Sequence, residues 1–109
     1  MQVKESQTMT ISELEDLIKE YAKTGNVKEF IDITAKYDYL SYLLKKNIYG
    51  VIESVKLLFG DKLTLEISRD GDVKIKKEKS IEDPEVKAFC SKVFSFVDKE
   101  ERQVLGMKA

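Results

Sequence analysis

The sequence predicts an α+β domain: three N-terminal helices, the third one long, then a two-stranded antiparallel hairpin and a C-terminal helix. Three observations predict it. Apolar residues recur at threes and fours from Ile11 to Phe59. They alternate with polar residues from Leu63 to Lys76, and they return to helical spacing after Asp83-Pro84.

The first ten residues are polar and without period, and are expected to be a flexible lead-in. Thr10-Ile11-Ser12-Glu13 then forms a capping box, in which the threonine oxygen and the glutamate three residues on satisfy each other's free amides. Ile11, Leu14, Leu17, Ile18, Tyr21 and Ala22 follow at helical spacing, and Gly25 supplies a left-handed cap. Asn26 restarts the chain as an N-cap with Glu29 at the box position. Val27, Phe30, Ile31 and Thr34 share one face of a short second helix, whose β-branched content makes packing its main support.

From Asp38, the residues Leu40, Leu43, Leu44, Ile48, Val51, Ile52, Val55, Leu58 and Phe59 predict a long third helix closed by Gly60. Gly50 lies in its middle at a cost of about 1 kcal/mol relative to alanine, and marks a kink or a close helix contact. In the hairpin that follows, a two-residue Asp70-Gly71 turn would set Ile67 against Lys74. A three-residue loop over 69–71 instead pairs Ile67 with Val73 and Leu65 with Ile75, which puts every apolar side chain on one face. Asp83, Pro84 and Glu85 start the last helix as a cap, a proline at the first helical position and an acid near the positive end. Its stripe is Val86, Phe89, Cys90, Val93, Phe96 and Val97. The domain is expected over 11–105, with 106–109 a frayed tail.

Length and composition bound the function. The 109 residues hold one core, and 42% hydrophobic residues at 36% charge is a balance that folds. A net charge of −1 excludes a protein that coats nucleic acid through charge alone. Only Arg69 and Arg102 among the 19 basic residues are arginine, which disfavours base-specific DNA contacts. The Lys/Glu abundance with little glycine, proline or cysteine points to a thermophile, archaeal or archaeal-virus source. No apolar run approaches the roughly eighteen residues of a membrane span, and MQVKESQTMT lacks the apolar centre of a signal peptide. A lone Cys90 fits a reducing cytoplasm, so a cytoplasmic location is expected, without a membrane partner.

No catalytic constellation emerges. The chain has no histidine, which removes the usual triads, the usual acid–base group and the commonest metal ligand. Cys90 sits on an apolar stripe and reads as a small buried hydrophobe. Asp70-Gly71-Asp72 resembles a fragment of a calcium loop, but the other ligands and the closing glutamate are missing. No glycine-rich phosphate loop occurs. No enzyme activity, cofactor or metal is expected.

The informative feature is KYDYLSYLLKKNIYG, which holds four of the five tyrosines. On a helix, at about 100° per residue, Tyr39, Tyr42, Lys46, Tyr49 and Glu53 fall on one stripe flanked by Lys45 and Lys56. Three uses compete for it. The tyrosines pack under the first two helices, or form a protein-binding surface such as a homodimer contact, or stack bases while the lysines meet phosphates. Lys74, Lys76 and Lys77 on the returning strand protect a sheet edge or are candidate nucleic-acid contacts.

In element order alone, residues 11–103 resemble a winged-helix domain with an added C-terminal dimerisation helix. That resemblance implies DNA binding, with the hairpin as wing. If the third helix breaks at 47–50, it would present Tyr39, Ser41, Tyr42, Lys45 and Lys46 to the major groove. A third helix this long, with helical spacing where the family has its first strand, departs from the pattern. The favoured expectation is a non-enzymatic interaction module, homo-oligomeric or an accessory subunit of a larger complex. It would bind protein through Tyr39, Tyr42, Lys45, Lys46, Tyr49 and Lys56, with the winged-helix regulator as the alternative.

Overall fold

The computed structural model describes residues 9–60, 63–76 and 79–108, with side chains as far as residue 103. The element order is α1 (Ile11–Thr24), α2 (Val27–Thr34), β1 (Tyr42–Lys46), β2 (Ile52–Leu58), β3 (Thr64–Ser68), β4 (Val73–Ile75), β5 (Lys79–Ser80) and α3 (Pro84–Lys108). The strands form one antiparallel sheet in the order β1-β2-β3-β4-β5. Helix α3 packs on β2 and β3, and α1 and α2 pack on α3.

The domain is α+β, but the expected three N-terminal helices and two-stranded hairpin are not its architecture. The long third helix does not exist. Residues 42–58 are two strands joined by a tight turn, and the sheet has five strands. The helix–helix–helix–hairpin–helix order on which the winged-helix likeness rested is therefore absent. Three local features explain the misreading.

Asn47 starts a turn: its Oδ1 accepts from the N–H groups of Tyr49 and Val51, and its own N–H donates to the Val51 carbonyl. Gly50 closes that turn at φ +81°, a conformation that disfavours a side chain. A bulge then breaks the period of two. Lys45 faces Ser54 but Lys46 faces Ile52, so Glu53 is the extra residue. Ile52 is thereby turned into the core while Glu53 is exposed. Finally, β2 is an inner strand with buried residues on both faces. Val55, Leu57 and Phe59 face the helices, while Ser54 and Leu58 are buried on the other side. The apolar spacing that results imitates a helix.

The locally encoded elements form as their residues require. Glu13 N–H donates to Thr10 Oγ1, and Thr10 N–H donates to Glu13 Oε1, closing the capping box. Gly25 caps α1 at φ +72°. Asn26 Oδ1 accepts from Glu29 N–H at the start of α2, and Asp83 Oδ1 accepts from Glu85 N–H at the start of α3. The β3–β4 register pairs Ile67 with Val73 and Leu65 with Ile75, as the three-residue loop demands. Gly71 has φ +100° in that loop. The lead-in over 1–10 lies outside the described residues up to residue 8, and α3 continues through 106–108.

Between sheet and helices lies one apolar core. Its centre is an aromatic group in which Phe30 meets Phe89 edge-on at 5.4 Å and tilts against Tyr21 at 5.8 Å and Phe59 at 6.1 Å. Phe30 is wholly buried, so a helix with weak propensity is held by the ring it inserts.

Candidate functional site

The residues expected on one helical stripe are divided by the strand structure. Tyr42 lies on the helix side of β1 and packs half-buried on the core. Burial pushes its hydroxyl above the ordinary tyrosine range, and the Glu100 and Glu101 carboxylates add to the shift. Lys46 points the same way and pairs with Glu101 at 2.9 Å. Lys45 is exposed on the open face of the sheet, and Lys56 is half-exposed beside it on β2. Tyr39 and Tyr49 lie at opposite ends of β1, 89% and 82% exposed.

The candidate nucleic-acid contacts are likewise dispersed. Lys74 is exposed on the open face of β4, and Lys76 ends that strand at φ +58°. Lys77 lies outside the described residues. Across the open face the register runs Leu43, Lys56, Glu66, Lys74, Ser80. The charges alternate in sign from strand to strand, which stabilises the sheet and concentrates no positive charge.

A different feature emerges at β1. Tyr39, Leu40, Leu43, Ile48, Tyr49 and Val51 are the exposed large hydrophobic residues among those described, and all belong to β1 or its two flanks. Ile48 is 90% exposed at the turn. Isolated exposed apolar side chains are ordinary, but a set confined to one edge of a sheet makes that edge the candidate site.

β1 is also an end strand of the sheet. Leu58 N–H donates to the Ser41 carbonyl at 2.9 Å, one step beyond the Tyr42–Leu57 pair at which the register begins. Because hydrogen-bonding direction alternates along a strand, Ser41, Leu43 and Lys45 bond to β2. The N–H and C=O groups of Tyr42 and Leu44 point the other way, along the open side of β1. The opposite edge is managed differently: β5 is two residues long, and Lys79 Nζ pairs with Glu15 Oε2 on α1 at 2.8 Å. Short length and charge are the usual protection of an edge. On β1, Lys46 is drawn down to α3, which leaves Lys45 as the edge strand's only free charge among the described residues. The tyrosine-rich segment supplies this edge strand, although its apolar spacing also fits a helix.

Other groups carry less chemistry. Cys90 is buried among the helix α3 contacts, and burial pushes its thiol up to about 12. A shallow recess at the β3–β4 turn is lined by Glu66, Ser68, Asp70, Asp72 and Lys74. Among the described residues no group of three or more His, Cys, Asp or Glu side chains is arranged to hold a metal ion. Among them, too, no helix is long and apolar enough to cross a membrane.

Among the described residues, fold and edge together define a helix-backed antiparallel sheet with one apolar edge strand that nothing covers. Compared with protein-family models, curated proteins and solved structures, the chain matches none.

Proposed function

We propose that this protein is a non-enzymatic interaction domain that binds a protein partner by strand addition at β1. The observation that carries the reading is the coincidence of the exposed large hydrophobic residues with the open edge strand. Strand addition takes its affinity from main-chain hydrogen bonds and its selectivity from side chains at alternate positions. Tyr42 and Leu44 offer those bonds here, and Tyr39, Leu40, Leu43, Ile48 and Tyr49 are the side chains a partner would cover. The non-enzymatic part rests on a sequence without histidine and a cysteine whose thiol is held protonated. A lone cysteine also supports a reducing, cytoplasmic setting, and the Lys/Glu-rich composition supports a thermophilic source. Nucleic-acid binding is not favoured, because Glu66 separates Lys56 from Lys74 on the open face.

The test is a titration of isotope-labelled protein with extended peptides of alternating apolar and polar residues, read by amide NMR. The expected result is saturable shifts at Tyr42 and Leu44, abolished by Leu44→Pro, which removes an outward N–H at an edge position where proline is tolerated. Shifts centred on β5 or the open face, or no shifts with any peptide from a chain that is monomeric at the concentration used, would count against the reading.

A further inference from the structure

We infer that the strand added at β1 is β1 of a second copy of this chain, antiparallel about a two-fold axis at Leu43, so that two five-stranded sheets become one of ten strands. This rests on the strand-addition reading and names its partner. The argument is one of register. Only residues of β1 whose main-chain groups point outward, Tyr42, Leu44 and by the same alternation Lys46, can bond to an added strand, so self-pairing is limited to registers that match such residues with each other.

Centring the axis on Leu43 sets Tyr42 against the second copy's Leu44, and Leu44 against its Tyr42, with four main-chain hydrogen bonds. Leu43 then meets Leu43 across the axis on the open face, in the closer, non-hydrogen-bonded kind of pair. Every position along the centre of the junction is apolar against apolar. Centring it on Leu44 instead would set Leu43 against Lys45 and Tyr42 against Lys46. It would also bring the two Lys45 residues to about 7 Å along the strand direction, against about 13 Å in the favoured register. Centring it on Tyr42 would leave Leu43 against Ser41.

The flanks agree with the favoured register. Leu40 comes opposite the second copy's Lys46 and Tyr39 opposite its Asn47, so the exposed 39–40 turn of one copy lies beside the exposed 47–50 turn of the other. Charge is complementary there too. Each Lys45 comes opposite Ser41 and beside the turn that begins at Asp38, while Lys46 is already neutralised by Glu101 of its own chain. A strand whose two ends carry unlike groups that suit each other is what a two-fold contact needs, because the same patch must serve both sides.

The experiment is sedimentation velocity on the full chain across a concentration series, with Leu43→Glu and Leu44→Pro alongside, each checked for folding by circular dichroism. Leu43→Cys and Lys45→Cys are then oxidised with copper phenanthroline. The expected result is a wild-type dimer weakened at least about tenfold by Leu43→Glu, since two carboxylates would face across the axis. Leu43→Cys should cross-link readily and Lys45→Cys should not. If Leu44→Pro fails to fold, the exposed Leu43→Glu position and the cross-links decide. A monomer at all concentrations whose Tyr42 and Leu44 amides still take up a peptide strand would overturn self-pairing and keep the edge reading. A dimer indifferent to both Leu43→Glu and Leu44→Pro would overturn self-pairing at β1. An absence of both dimer and peptide binding would overturn both readings.

Discussion

The guanidinium of Arg69 lies over the ring of Phe94, 5.2 Å from its centroid. Its Nε donates to the carbonyl of Ile52 at 2.8 Å, and its Nη2 stands 3.5 Å from Asp98 Oδ1. Ile52 adjoins the bulge at Glu53, so one side chain ties the irregular end of β2 to helix α3. A lysine keeps the charge but loses the planar stack and the Nε donor. Arg69→Lys is expected to cost about 1–2 kcal/mol, mostly from the part-buried hydrogen bond and the ring contact, because the half-exposed ion pair adds little. Urea unfolding measures it. A loss below a few tenths of a kcal/mol would contradict this role.

Gly25 and Gly71 separate two kinds of positive φ. Neither has an atom within 4 Å of where a Cβ would stand, so the cost of a side chain is backbone strain alone. Gly25, at φ +72°, is in the left-handed region that asparagine tolerates. Gly25→Ala is expected to cost about 1 kcal/mol and Gly25→Asn less. Gly71, at φ +100°, lies beyond that region, and asparagine is expected to rescue it poorly. Comparing Gly25→Ala, Gly25→Asn, Gly71→Ala and Gly71→Asn by chemical denaturation checks the contrast.

The Cys90 thiol, held near 12 by burial against a usual value of 9.0, makes stability fall with pH in a defined window. Above about pH 9 the unfolded chain gives up this proton while the folded one keeps it. The contribution is therefore fully present below pH 9 and is lost as pH rises toward 12, at up to about 1.4 kcal/mol per pH unit. Cys90→Ala should show a shallower fall between pH 9 and 11 than the wild type. At pH 8, iodoacetamide should modify Cys90 only through opening of the fold, far more slowly than in urea-unfolded protein, and rapid labelling of folded protein would contradict its burial.

Asp70 is held below the ordinary carboxylate range by the Ser68 hydroxyl, with the Asp72 backbone second. Ser68→Ala should move its titration upward, followed by NMR of the side-chain carboxyl. An unchanged midpoint would mean that the backbone alone sets it.

Legibility in the sequence followed the range of the interaction. The capping box at Thr10 and Glu13, the Gly25 cap, the Asp83-Pro84-Glu85 start and the Ile67–Val73 pairing were all readable, because each is decided within a few residues. Residues 38–59 were not. The extra residue at Glu53 shifts the phase of the alternation, and Leu58 is buried on the face of β2 turned away from the helices, so apolar residues fall on both faces of one strand. The candidate residues do not share the single helical stripe expected of them. Tyr39 and Tyr49 are surface residues, whereas Tyr42 and Lys46 are committed to the helix side.

The amino-acid order alone determined the helix ends, the β3–β4 turn and the absence of histidine chemistry, since local hydrogen bonds, φ preferences and side-chain identity need no distant partner. Tertiary structure decided that residues 42–58 are strands and that β1 ends the sheet. An inner strand gains ladder bonds on both sides and burial on both faces, and those gains come from β3 and α3, far along the chain, so a repeat of threes and fours within the segment does not outweigh them. The same sheet order leaves Tyr42 and Leu44 with main-chain groups directed outward, at the one edge where the exposed apolar side chains gather.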